Sequence, residues 1–127
     1  MYSDPVPTRK AVLLAAMQMI VCGCQAEEAP RVVTGGDPEA GQLLIEQYGC
    51  GSCHVVPGVR TAFGQVGPSL ETLRRNVYIA GELPNQPAIL VRFIQDPQKL
   101  VPRTAMPDLG VNETHARDVS AYLYQLR

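Results

Sequence analysis

Charge is scarce and balanced in this 127-residue chain: 11 Lys and Arg face 12 Asp and Glu, for a formal charge of -1. No basic stripe stands out and aromatic residues are only 6%, so the chain has neither the electrostatic footprint nor the stacking platform of a nucleic-acid-binding protein. Long apolar runs are missing too. The longest, Ala11 to Val21, is broken by Gln18 and falls well short of the roughly 20 residues that a membrane-spanning helix needs. A chain of this length holds one domain at most. What is abundant is proline and glycine, 11 of each, which marks much of the chain as loop.

Four cysteines are present, and two of them stand in Cys50-Gly51-Ser52-Cys53-His54. This C-x-x-C-H run is the attachment signature of c-type haem. Two thiols three positions apart can each bond a vinyl group of one porphyrin, and the histidine that follows is carried beneath the ring, where its imidazole can ligate iron. Two rival chemistries fit less well. A thiol redox pair belongs at the start of a helix in a βαβ pattern, and no β-rich pattern surrounds this one. A four-ligand zinc site needs two further ligands at metal spacing. The remaining cysteines, Cys22 and Cys24, lie instead in what reads as an export signal. A porphyrin also supplies apolar surface that so small a domain would otherwise have to build from side chains.

Residues 1–23 read as a signal peptide. Arg9 and Lys10 form its positive start and Ala11 to Val21 its apolar stretch. A buried core helix is the alternative, but nothing polar gives this segment an amphipathic face. Val21-Cys22-Gly23-Cys24 is similar to a lipoprotein processing site, with Cys24 as the acylated residue, although Cys22 departs from the small or aliphatic residue usual there. Cleavage after Ala26 by an ordinary secretory route is the competitor. Several acyl chains on Cys24 suffice for stable attachment to a membrane. Residues 24–36 are polar, lack periodicity and end in Gly35-Gly36, which predicts a flexible tether. The folded domain is expected from 37 to 127.

Within that domain, Asp37-Pro38-Glu39 is a helix start, predicting a helix from Pro38 to about Tyr48 with Leu44 and Ile45 inward. Gly41 in its interior costs up to about 1 kcal/mol relative to alanine, which points to close passage of another helix or else to a tolerated surface glycine. A short helix is expected over Ser69–Arg75, with Leu70 and Leu73 against the haem. Arg74 and Arg75 are adjacent, so about 100° apart on a helix. One could pair with a propionate, but two solvated surface charges are the commoner outcome. Tyr78 to Asn85 reads as loop, with Asn85 capping a helix from Gln86 to Gln95 that Asp96-Pro97 stops. Asn112 caps a last helix from Glu113 to Leu126.

Met106 lies in Thr104-Ala105-Met106-Pro107, 52 positions after His54 (106 − 54), far enough for the chain to cross to the other face of a ring. A lone methionine is most often core filling, but here a neighbouring proline could hold a thioether at iron. His115 borders the apolar face of the last helix and reads as a surface or hydrogen-bonded histidine rather than a ligand.

Taken together, CGSCH, VGPSL and TAMPDLG resemble the class I, single-haem, His/Met c-type cytochromes. Residues 77–110 are similar to the cytochrome c domain fused to subunit II of bacterial haem–copper oxidases. The resemblance implies an all-α, loop-rich cytochrome c fold of three to five helices around one covalent haem c. It implies thioether bonds at Cys50 and Cys53 and axial ligands at His54 and Met106. It also implies that the Pro68 carbonyl accepts a hydrogen bond from His54 and so fixes its tautomer. In that family the first and last helices cross, which sets Gly41 and Ile45 against Tyr122 and Leu123. The implied role is one-electron transfer, not enzymatic, on the periplasmic or extracytoplasmic face of a bacterial membrane, with a soluble periplasmic form as the alternative. Expected partners are a terminal oxidase, a quinol–cytochrome reductase or another cytochrome. A haem enzyme or gas-binding protein with a labile sixth ligand, and a cytochrome subunit of a dehydrogenase, are the other readings.

Overall fold

The computed structural model describes residues 30–127. The expected signal peptide, the candidate acylation site Cys24 and the first part of the tether lie outside them.

Helix α1 spans Pro38–Gln47. Its start follows from the Asp-Pro-Glu sequence: the Asp37 carboxylate accepts from the backbone N–H groups of Glu39 (2.9 Å) and Ala40 (3.3 Å), two donors that the first turn would otherwise leave unpaired. The helix ends where Gly49 adopts φ +70°, a left-handed conformation that costs glycine nothing. The last helix, α4 (Glu113–Gln125), starts in the same way, with Asn112 accepting from the His115 N–H at 2.9 Å. Between them lie α2 (Pro87–Gln95) and the single-turn α3 (Pro97–Leu100). A two-residue antiparallel hairpin joins β1 (Tyr78–Ile79) to β2 (Leu83–Pro84).

α1 and α4 cross, and Gly41 is the reason they can. A Cβ on Gly41 would stand 2.0 Å from the carbonyl oxygen of Asp118, so only the missing side chain lets the backbones meet. The partner of Gly41 is therefore Asp118–Val119, one turn earlier in α4 than the expected Tyr122–Leu123. Asp118 reinforces the junction by accepting from the Asp37 N–H at 2.8 Å. Ile45, 1% exposed, sits in the same core with Val119 and Leu123. Burial of such a side chain contributes about 2 kcal/mol.

Several expectations change. Asn85 does not cap α2: Gln86 occupies that position, with no side-chain bond to the helix. Asn85 is instead buried, donating to Leu73 O (2.6 Å) and Asn76 O (2.8 Å) and accepting from the Tyr124 hydroxyl (2.7 Å). Asp96 ends α2 but also starts α3, accepting from the Lys99 N–H at 3.1 Å. The helix expected over Ser69–Arg75 contracts to a single 3-10 turn, Leu73–Arg75. The span read as loop after Val77 carries the small hairpin. The domain's packing also starts before Asp37: Val33 is buried, and Arg31 donates to Arg74 O (2.5 Å) and Asn76 O (3.2 Å). That end of the expected tether is docked on the domain.

Candidate functional site

The site begins where α1 ends. After Gly49 the chain makes a 3-10 turn, Cys50–Ser52, and the Cys53 and His54 N–H groups both return to Cys50 O, at 3.2 and 3.0 Å. Cys50 and Cys53 are unoxidised and half-buried. They follow the C-terminus of a helix rather than heading its N-terminus. Burial pushes the Cys50 thiol up, with the neighbouring Cys53 adding to the effect. A catalytic redox dithiol needs the opposite, a thiolate stabilised at a helix start. Among the described residues no three His, Cys, Asp or Glu side chains gather as a metal-binding group, so the zinc alternative finds no ligand set there.

His54 is positioned by the loop that follows it. Residues 64–70 fold back over the motif through Gly64 N–H to Gly51 O (2.9 Å), Gly67 N–H to Cys53 O (2.7 Å) and Leu70 N–H to Val55 O (2.9 Å). This return places the Pro68 carbonyl oxygen 2.7 Å from His54 Nδ1. A carbonyl oxygen can only accept, so Nδ1 carries the proton. The lone pair of the neutral ring is left on Nε2, which makes no hydrogen bond among the described residues. Gly67 closes against the ring: a Cβ there would lie 2.4 Å from His54 Cε1. The turn beneath is held from outside, as Tyr122 donates to Pro57 O (2.6 Å) and Gln42 to Gly58 O (2.8 Å).

Met106 lies in the non-helical segment between α3 and α4. It is half-buried and packs against the hydrophobic core. Its N–H donates to Thr104 Oγ1 at 3.3 Å. Further along, Asp108 accepts from the Gly110 N–H (2.8 Å), and Gly110 takes φ +67°. Both turns shape the stretch that carries the thioether.

Of the other candidates, Leu73 is buried and Leu70 half-buried against the core. Arg75 is exposed. Arg74 lines a cavity beside residues 30–38 and the end of α4, with no residue of the C-x-x-C-H motif in its wall. His115 Nδ1 is 2.8 Å from the Tyr48 hydroxyl, with the two rings edge to face at 5.8 Å, so it is a hydrogen-bonded histidine.

The arrangement suits a porphyrin. Two free thiols stand beside an imidazole with one nitrogen tied and the other open. Phe63, just before the returning loop, and Val66 within it are 73% and 82% exposed although apolar, surface that an apolar ring would cover. Sequence reasoning missed the parts that hold the motif in place: Gly67 against the ring, Tyr122 and Gln42 on the Pro57–Gly58 turn, and Thr104 on Met106. Only Thr104 had a local signal, a hydroxyl two positions before the residue it binds.

No protein-family model matches the chain. It is similar to cytochrome c oxidase subunit 2 of Alkalihalophilus pseudofirmus, 33% identical over 88 residues, which is 68% of this chain and 25% of that protein. The chain thus matches about a quarter of the length of that relative. In structure it is similar to cytochrome c2 of Rhodobacter sphaeroides, with a TM-score of 0.53 and 23% identity over 72% of this chain and 96% of that one.

Proposed function

For a chain that has the cytochrome c fold and resembles class I c-type cytochromes in sequence, we propose one-electron transfer through a single haem c. Cys50 and Cys53 would hold the group covalently, with His54 and Met106 as its axial ligands. A haem c bound there supplies one reversible electron transfer at its iron. The observation that carries this reading is the 2.7 Å contact between His54 Nδ1 and Pro68 O. It fixes the tautomer, leaves the lone pair on Nε2 and makes that nitrogen more basic.

Met106 has the complementary task. With a haem c held there, the Met106 thioether would take the iron position that a substrate needs and would raise the reduction potential. The loop over residues 64–70 limits motion of the imidazole through the Pro68 carbonyl and the close approach of Gly67. Both features favour a carrier over bond-making chemistry.

The carrier is anchored through an acylated Cys24 on the extracytoplasmic face of a bacterial membrane, and it serves a respiratory chain. Its donor is a quinol–cytochrome reductase or another cytochrome, and its acceptor a terminal oxidase. The near-zero net charge gives little long-range steering. Attachment to the partner's own membrane compensates by raising effective concentration.

The test is a spectrum and a mass of protein made in a host that matures c-type cytochromes. Reversible reduction, no CO binding by the reduced protein, and an intact mass with one haem and the acyl chains on Cys24 are the expected results. Spontaneous CO binding would move the assignment to a haem enzyme or gas-binding protein, and colourless protein would end it.

A further inference from the structure

The chain between His54 and Pro68 folds on itself before it returns to the imidazole. The Val56 N–H donates to Ala62 O, the Val59 N–H to Val56 O and the Ala62 N–H to Val59 O, each at 3.2 Å. Val55 and Phe63 form an isolated antiparallel bridge, and the Leu70 N–H reaches Val55 O at 2.9 Å. Val55, the residue that follows His54, is thus held from two later points of the loop. Glycines at 58, 64 and 67 leave the loop's own backbone little stiffness.

Stiffness is added from the helices. The Tyr122 hydroxyl donates to Pro57 O at 2.6 Å, and Gln42 Nε2 donates to Gly58 O at 2.8 Å. The two donors stand on different helices, α4 and α1, beside the place where those helices cross. Gln42 follows Gly41, and Tyr122 comes one turn after Asp118, whose carbonyl Gly41 meets. Adjacent carbonyls tied to two crossing helices leave the turn little freedom to tilt. Gly58, at φ +82°, makes the seating close: a Cβ there would stand 2.3 Å from the Tyr122 hydroxyl oxygen. We propose that Tyr122 and Gln42 are positioning residues for the axial ligand. Through the Pro57–Gly58 turn they keep the Pro68 carbonyl on His54 Nδ1, so the packing of α1 on α4 sets how strongly Nε2 donates to iron. This rests on the reading of His54 as the iron ligand.

The experiment uses the haem-loaded protein. Tyr122→Phe and Gln42→Met each remove one donor and keep the shape of the side chain, and a double variant removes both. In the reduced, diamagnetic protein, NMR follows exchange of the His54 Nδ1 proton with solvent. Each single variant should speed that exchange about fivefold, the effect of losing one hydrogen bond, and the double variant should speed it further. The reduction potential should rise in the same order, because an imidazole with a looser acceptor stabilises oxidised iron less. Val33→Ala is the control for stability alone. Val33 is buried and touches neither carbonyl of the turn, so this variant should lower the urea midpoint and leave exchange and potential as in the parent.

Unchanged exchange and potential in the double variant would make Tyr122 and Gln42 structural contacts only and overturn the proposal. So would equal changes in Val33→Ala. A measurement on the parent covers a variant that fails to take up haem. Low urea should release the Gln42 side-chain amide and the His54 Nδ1 proton together; an Nδ1 proton that stays protected after the turn opens would show that the turn does not hold the ligand. Ligation itself is judged apart from these outcomes. The ring current of a haem moves the imidazole protons of a ligating His54 far upfield in the parent, and ordinary positions would end that reading instead.

Discussion

The carbonyl oxygen of Pro68 stands 2.7 Å from Nδ1 of His54, fourteen positions earlier in the chain. Gly67, between them in the loop, presses on the imidazole itself. The side-chain-free position and the carbonyl act together: one lets the loop approach, the other uses the approach to orient the ring.

Gly67→Ala should therefore break that orientation. Its Cβ would meet His54 Cε1 at 2.4 Å, so loop or ring must move, at a cost of about 1–3 kcal/mol. Urea denaturation of the haem-loaded protein measures the loss. The reduction potential should rise as well, since an imidazole without its acceptor is a weaker donor to iron. An unchanged potential and midpoint would show that the contact orients nothing.

Thr104 should matter to Met106. Thr104→Val keeps the shape but removes the oxygen that accepts from the Met106 N–H, a loss of about 1 kcal/mol. The pH at which the red-end absorption of methionine-bound haem disappears should shift, and Thr104→Ser should restore it. Met106→Ala should abolish that band and admit CO. Retention of the band in Met106→Ala would assign the sixth position to another residue.

The helix crossing gives a prediction about folding alone. Gly41→Ala places a methyl 2.0 Å from Asp118 O, and backbone cannot yield as a side chain can. A loss of about 3 kcal/mol is expected, well above the roughly 1 kcal/mol that alanine returns through helix propensity. A stabilised Gly41→Ala protein would contradict the crossing described for α1 and α4.

Tyr124 predicts alkaline sensitivity. Burial pushes its hydroxyl up to about 12, against an ordinary value of 10.0, while Arg31 pulls slightly the other way. The folded state thus favours the neutral phenol, which donates to Asn85. Its contribution is fully present below pH 10 and is lost between pH 10 and 12, where the unfolded chain ionises first. Two pH units correspond to about 3 kcal/mol. Unfolding free energies at both ends of that window, for the parent and Tyr124→Phe, test it: the decline should be shallower in the variant.

Local chemistry was legible in the residues themselves. The C-x-x-C-H run, the Asp37 and Asn112 caps and the loop around Met106 each depend on neighbours within a few positions, and the structure forms those caps and that loop as written. The return of Pro68 to His54 was legible only through resemblance, because no spacing rule connects a turn proline with a histidine fourteen residues away. Asn85 shows the opposite case. Its type and place before an apolar run suited a helix cap, yet three long-range partners on two other segments outweighed the one local bond. The same competition docked Arg31 and Val33 on the domain, although their surroundings read as tether.

By itself, then, the order of residues determined the C-x-x-C-H run, the helix starts and the general class of fold. Such features are set by covalent spacing and by hydrogen bonds that close within one turn. Tertiary structure alone decided which turn of α4 meets Gly41, what Asn85 holds and how Arg31 and Val33 dock on the domain. Those outcomes turn on contacts across the domain, where burial and close backbone approach outweigh the small preferences of single residues.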